Sequence, residues 1–281
     1  MVIREGYPPG VPCSVDLSSD DIHAASRFYT KVFGWEAVPA GPKDVTRGYT
    51  WLELHGRRVA AIGPHAAVTG GPRWNVYIEV DNCERVLAAA ERLGGAVTQE
   101  TRDVLTHGRF AMAADPQGAG FSLWESQDYK GAEICNEPIA WCFNHLATTD
   151  VDAALSFYCE LFEWDYEPVD LGSDMPRYRT FTFVGRRILG CTELLQGSAE
   201  DPLPSNIESG GVQPQWVTHF AVDDCDQRAA LIEANGGTIV TPPRDNPAGR
   251  GAGCRDPQGA YFGIIKLQDR LVELTPAFAA K

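Results

Sequence analysis

A chain of 281 residues with 44% hydrophobic and 22% charged side chains can bury a real core, which excludes disordered and collagen-like classes; at roughly 150 residues per domain it reads as two domains. Lys and Arg number 24 against 38 Asp and Glu, a net charge of −14 and a pI near 4.8. A surface this acidic repels phosphate backbones and anionic lipid, so neither nucleic acid nor membrane is an expected partner.

No apolar run approaches the roughly 18 residues that span a bilayer, and the opening Met1-Val-Ile-Arg-Glu-Gly-Tyr lacks the pattern of a secretory signal. The eight cysteines form no CxxC pair, and Cys13, Cys142 and Cys191 lie in apolar runs. Buried, reduced thiols of a cytoplasmic protein fit that usage.

In chain order, Cys13–Leu17 reads as a strand, and Asp20 or Asp21 can cap a helix ending at Gly34. Strand-like runs follow at Trp35–Pro39, Tyr49–Leu54 and Arg58–Ile62. Trp74–Val80 is another strand, after which Asn82 caps a helix over Glu84–Leu93 that Gly94-Gly95 terminates. Three short strands then end in Phe121–Glu125, and a polar linker runs from about Gln127 to Pro138. The unit is βαβββ, twice.

The second half repeats the first. At a shift of 129 the matches include Cys13/Cys142, Asp21/Asp150, Phe28-Tyr29/Phe157-Tyr158, Trp35/Trp164 and Gly56-Arg57-Arg58/Gly185-Arg186-Arg187. At 142, Trp74/Trp216, Val80-Asp81/Val222-Asp223 and Gly94-Gly95/Gly236-Gly237 coincide; at 141, Asp115-Pro-Gln-Gly-Ala meets Asp256-Pro-Gln-Gly-Ala. So many co-registered aromatics and glycines mean a duplicated domain, with residues 1–130 and 131–281 as its two copies.

The tokens Asp21…Phe28-Tyr29…Phe33-Gly34-Trp35, Val222-Asp223-Asp224 and Asp256-Pro-Gln-Gly resemble the glyoxalase, bleomycin-resistance and extradiol-dioxygenase superfamily, the vicinal oxygen chelate proteins. The likeness covers about Gly10 to Lys266 and is nearest to tandem bacterial members labelled glyoxalase-like or hydroxylase. It implies an α+β fold of two tandem glyoxalase-like domains, each made of two βαβββ modules forming a curved sheet around a ligand cup. It leaves the reaction open, since the superfamily holds lyases, isomerases, dioxygenases and metal-free binders.

Strand alternation sorts the faces. In the first domain Val11, Cys13, Val15 and Leu17 should face the helices, leaving Ser14 and Asp16 for the cup. Trp51, Glu53, Asn75, Tyr77, Ser122 and Trp124 face the cup by the same alternation, and Glu79 reads as a rim charge in water. In the second domain Phe143, His145, Tyr178, Thr180, Val217 and His219 point inward. Aromatics around a few polar groups describe a small-molecule pocket. Asp16 with Tyr77, and His145 with His219, are the candidates for proton transfer; Ser14, Trp51, Glu53, Asn75, Ser122, Trp124, Phe143, Tyr178 and Thr180 are ligand contacts.

The resemblance implies a metal site with His seven residues before the helix-capping Asp, a second ligand six before the next domain Asp, and Glu seven beyond the Asp-Pro aspartate. Those positions hold Ser14, Asn75 and Ser122 in one domain and Phe143, Val217 and Gly263 in the other. None is a good divalent-metal ligand. No cofactor is expected there; a shifted divalent site using His145, His219 and Glu193 is the alternative. Arg109 and Arg250 read as structural partners of a turn or as grips for an anionic ligand, and the Asp-Pro-Gln-Gly repeat as a β-turn. His23, His55, His65 and His107 read as solvated.

Three functions fit: a metal-independent lyase, isomerase or hydroxylase-type enzyme, a sequestering protein of the drug-resistance kind, or a regulatory protein on a retired scaffold. Two domains in one chain can pair internally, so a monomer or a homodimer is expected. The cups should differ, Asp16 serving one and the two histidines the other.

Overall fold

The computed structural model describes residues 2–65, 71–169, 178–193, 213–246 and 248–268. The first module comprises β1 (Pro12–Ser19), α1 (Ile22–Phe33), β2 (Glu36–Pro39), the short helix α2 (Lys43–Thr46), β3 (Thr50–Leu54) and β4 (Arg57–Pro64). The second comprises β5 (Arg73–Glu79), α3 (Cys83–Arg92), β6 (Ala96–Val104), β7 (Gly108–Ala114) and β8 (Gly120–Ser126). The third is β9 (Trp141–Thr148), α4 (Val151–Phe162), β10 (Asp165–Val169), β11 (Tyr178–Phe183) and β12 (Arg186–Glu193). The fourth is β13 (Gln215–Ala221), α5 (Cys225–Ala234), β14 (Thr238–Asn246), β15 (Gly249–Arg255) and β16 (Tyr261–Leu267). Among the described residues, only α2 lies where no element was expected.

The helices begin where a short acceptor side chain can satisfy an orphan amide. Asp21 accepts from Ala24 N at 2.9 Å, Asn82 from Arg85 N at 2.7 Å, Asp150 from Ala153 N at 3.0 Å and Asp224 from Gln227 N at 2.9 Å. Helix α1 stops at Gly34, whose φ of 75° is the left-handed cap glycine adopts without penalty.

Each domain is one eight-stranded mixed sheet, in the orders β2-β3-β4-β1-β5-β8-β7-β6 and β10-β11-β12-β9-β13-β16-β15-β14. The first strand of each module runs parallel to its last, and the two modules of a domain meet antiparallel, β1 on β5 and β9 on β13. A first strand therefore crosses the centre of the sheet beside its counterpart, and their concave faces share one cup.

The cores do not respect the domains. One apolar cluster joins Val15, Leu17, Phe28 and Phe33 of the first module to Phe220, Phe262 and Ile264 of the fourth. Another joins Val76, Ile78, Phe121 and Leu123 of the second to Leu146, Phe157, Phe162 and Phe181 of the third. Helix α1 touches α5, and α3 touches α4, so the helical faces of the two sheets pack on each other. Both cups thus open away from the shared core.

The repeated Asp-Pro-Gln-Gly turn is the clasp across this boundary, a role its turn composition did not disclose. Gln117 Oε1 accepts from Asp150 N and from the hydroxyls of Thr148 and Thr149; Gln258 Oε1 accepts from Asp20 N, Asp21 N and the Ser19 hydroxyl. Each turn so binds the start of a helix in the other domain. Beneath it, the Trp74 indole donates to Tyr29 Oη at 3.0 Å and Tyr29 donates to Asp256 at 3.1 Å. Trp216, Tyr158 and Asp115 repeat the chain at 2.9 and 3.2 Å.

Candidate functional site

The first strand of each domain carries a β-bulge, at Cys13 and at Cys142, where the pairing with β5 and β13 skips one residue. A bulge puts neighbouring residues on one face, so alternation fails there. Cys13, expected among the helix-facing residues, instead packs with Trp51, Trp124 and Tyr129 on the concave side and donates its thiol to Tyr77 O at 3.5 Å. Cys142 makes the equivalent contact to His219 O at 3.4 Å.

The concave face of the first sheet is organised around Asp16, buried at 6% exposure. Tyr49 and Tyr77 both donate to its Oδ2, at 3.0 and 2.9 Å, and Asn75 donates to Oδ1 at 2.8 Å. Asn75 also reaches the Ser18 hydroxyl at 2.9 Å and accepts from Arg73 Nε at 3.3 Å. Burial raises the Asp16 carboxyl above its ordinary range, opposed by the hydrogen bonds from Asn75, Tyr77 and Tyr49. Ser122 is buried in register with Tyr77. Asp16, Asn75, Tyr77 and Ser122 are therefore brought together as expected.

Above them the cup is closed by its own aromatics. Tyr129, from the linker, accepts from or donates to the Ser14 hydroxyl at 2.9 Å, takes the Trp124 indole N–H on its carbonyl at 2.9 Å, and lies 4.7 Å from the Trp51 ring. Trp51, Trp124 and Tyr129 are all buried. Trp51 and Trp124, expected as ligand-facing walls, pack on protein instead. Glu53 is half-buried opposite Arg58, beyond a bulge at Val59 of β4, and stays outside the Asp16 group.

Glu79, expected at a wet rim, is 6% exposed. Its Oε1 accepts from the Ser126 hydroxyl at 2.7 Å, while Oε2 is buried with no partner. Burial pushes its carboxyl up to about 7, against the hydrogen bonds from Ser126, the neighbouring Cys13 thiol and the charge of Lys130.

The second concave face holds a pair of imidazoles. His145 Nδ1 and His219 Nε2 share a hydrogen bond of 2.7 Å, with ring centroids 4.9 Å apart and Phe143 6.1 Å from His219. Both rings are half-buried. A Cβ at Gly263 would collide with the His219 ring, so the glycine is the seat on which that imidazole lies. Gly190, in register with His145, likewise makes room for Tyr178 and Phe143. Thr180 is buried two residues along from Tyr178, in register with Gly190. Burial holds His219 down to about 4; burial, then the neighbouring ring, holds His145 well below its usual value. Near neutral pH the pair is uncharged.

A divalent metal does not fit the usual positions. Ser14 and Asn75 are engaged with Tyr129 and Asp16, and at the second set the His219 ring covers Gly263 where the third ligand would project. The shifted alternative fails at its carboxylate. Glu193 alternates with Thr192 on β12, on the face of the core residues Leu189 and Cys191 and three residues beyond the one paired with His145. It cannot join the two histidines. Among the described residues no three His, Cys, Asp or Glu side chains gather around one point.

Arg109 and Arg250 are structural, as the first of their two readings had it, though their partners are acids rather than a turn. Arg109 pairs with Glu84 in the first turn of α3, with Asp103 at 3.2 Å and with Glu125 at 3.4 Å; Arg250 pairs with Asp226 at 2.6 Å and Asp245 at 3.3 Å. Of the histidines read as solvated, His65 pairs with Asp20 at 3.1 Å, and His107 sits edge-on to Trp51 at 5.9 Å. Tyr129, Arg73 and His107 were missed by sequence reasoning. Only Tyr129 left a signal, a lone aromatic in a polar linker.

A family profile described as the Glyoxalase/Bleomycin resistance protein/Dioxygenase superfamily matches residues 14–123 and 139–264, and the chain belongs to that superfamily. CFP32 of Mycobacterium tuberculosis, provisionally named a glyoxylase, is 35% identical over 274 residues, 95% of this chain and 98% of its own. The anthracycline biosynthesis protein DnrV of Streptomyces peucetius is 31% identical, over 94% of this chain and 95% of its own. In fold the chain is similar to the Mn(II)-bound glyoxalase of Novosphingobium aromaticivorans, with a TM-score of 0.60, 16% identity, and coverage of 92% of this chain and 83% of that one. The 2,3-dioxygenase LapB of Pseudomonas sp. KL28 also aligns at 0.60, with 14% identity over 92% and 93%.

Proposed function

We propose that this protein binds a small oxygenated molecule on the concave face of its second domain and moves a proton on it by metal-independent acid–base chemistry, as a lyase or isomerase. The observation that carries the reading is the hydrogen-bonded His145–His219 pair, half-buried beside Phe143. A neutral imidazole has one N–H and one lone pair, so a bonded pair offers a donor at one end and an acceptor at the other. His145 Nε2 points away from the shared bond and is the nitrogen that reaches a ligand. His219, seated on Gly263, is the positioning residue that fixes the tautomer of His145.

The relatives support a small carbonyl or aromatic polyketide-like ligand, since one is named for glyoxylase and another for anthracycline biosynthesis. The eight cysteines all stand as free thiols, which supports a reducing, cytoplasmic setting. No described helix is long and apolar enough to cross a membrane. The two-domain core supports a chain that acts as a monomer or as a simple homodimer.

The test is a titration of the whole chain with the methylglyoxal–glutathione hemithioacetal and with a hydroxylated anthraquinone, following binding and turnover. Turnover should fall by about 10²-fold or more in His145→Ala, the scale of a lost general acid–base group. His219→Ala should lower kcat more than it raises KM. Saturable binding with no turnover would assign the sequestering role instead. Binding and turnover unchanged in both variants would end the reading.

A further inference from the structure

We infer that the first domain carries an oxyanion site at the mouth of its closed cup, formed by Arg4, Arg58 and Lys130, for the carboxylate or phosphate end of a small molecule. It stands apart from the second-domain reading, on different residues of a different sheet.

The segment before β1 runs along the linker, with Arg4 N donating to Glu133 O at 2.8 Å and the Tyr7 hydroxyl to Ala132 O at 2.7 Å. Between them lies a cleft of about 380 Å³, lined by Arg4, Arg57, Arg58, Tyr129, Lys130 and Glu133, with Glu5 and Asp128 also on its wall. In a chain of net charge −14, four cations around one cleft stand out.

Among the described residues, two of the guanidinium groups have no carboxylate partner. Arg4 is 8% exposed, and its Nε is buried without a hydrogen-bond partner. A charged donor left so is costly, and an anion in the cleft removes the cost. Arg58 stacks 4.7 Å from the Trp51 ring and 5.5 Å from Tyr129, which fix its plane, and among the described residues no carboxylate pairs with its guanidinium. One acid of the cleft is already engaged: Glu133 holds Arg57 Nη1 at 2.9 Å and accepts from the Arg58 backbone N–H at 3.0 Å. Planar forks of this kind grip carboxylate or phosphate oxygens in pairs. The aromatics that close the cup therefore also build the wall of this site.

The experiment is calorimetric titration of the full chain with inorganic phosphate and, separately, with benzoate, at constant ionic strength and against chloride. Saturable binding of either anion is expected, with phosphate ahead if the natural group is a phosphate ester and benzoate ahead if it is a carboxylate. Arg4→Gln and Arg58→Gln should each weaken it about tenfold, the scale of one lost charge-assisted hydrogen bond. Arg57→Gln, whose charge Glu133 already absorbs, should change it by less than about twofold. Arg58→Lys keeps the charge and loses the fork, so it should weaken binding severalfold with an unchanged near-ultraviolet circular dichroism spectrum. No saturable binding, binding matched by chloride, or equal affinity in wild type, Arg4→Gln and Arg58→Gln would each overturn the site.

Discussion

The two concave faces are built on the same eight-strand order, yet their polar centres solve opposite problems. In the first, Asp16 is surrounded by three donors and roofed by Trp51, Trp124 and Tyr129, so its hydrogen-bonding capacity is spent within the protein. In the second, His145 and His219 have chiefly each other, and glycines rather than aromatics stand beneath them. A network that satisfies itself stabilises a fold; a pair with unspent nitrogens is available to a ligand. Duplication supplied one scaffold for both outcomes.

The largest effect that would sharpen this contrast is on stability. Asp16→Ala leaves two phenols and an amide short of an acceptor and should cost about 3 kcal/mol by urea unfolding, whereas His219→Ala, at a half-buried site, should cost about 1 kcal/mol. Equal losses would break the distinction between a structural and a chemical face.

Next comes acid. His219 lies near 4 in the fold against about 6.5 in the open chain, and His145 is depressed too. Unfolding thus takes up protons between those values, so stability falls as pH drops through 6.5 and levels off below about 4, by on the order of 3 kcal/mol. Urea midpoints of wild type minus His219→Gln, measured from pH 7.5 to 4, should show that slope, and a flat difference would remove the burial assigned to the pair.

Glu79 runs the other way. Its folded value of about 7 exceeds the ordinary 4.5, so the protein loses stability as pH rises from 4.5 to 7. Glu79→Gln should therefore stabilise by about 2 kcal/mol at pH 8 and by little at pH 4. The smallest effect tests the symmetry itself: Tyr29→Phe and Tyr158→Phe should each cost about 1 kcal/mol and agree within about 0.5 kcal/mol. Unequal losses would mean that the two clasps are not equivalent.

Much of this was legible before any coordinates. Asp21, Asn82, Asp150 and Gly34 marked helix ends because capping is local, and Asp16, Asn75, His145 and His219 fell on the concave faces because strands alternate. What failed was non-local or broke the period. The bulges at Cys13 and Cys142 moved residues between faces, Tyr129 entered the cup from a linker with no period to read, and Glu193 could be placed only once the phase of β12 was known. No single-domain pattern announces that Phe33 packs 5.2 Å from Phe220.

That last contact has a bearing on ancestry. Either half made alone would leave bare the part of its helical side that the other half covers, because each apolar cluster joins residues of both halves. A half-chain should then find a second copy of itself, with Tyr29 of a first-half copy meeting the aspartate of the other's Asp115 turn, and light scattering would report twice the half-chain mass. Once fused, the two copies could diverge on their open faces but not where each lines the other, which confines inherited novelty to the cups.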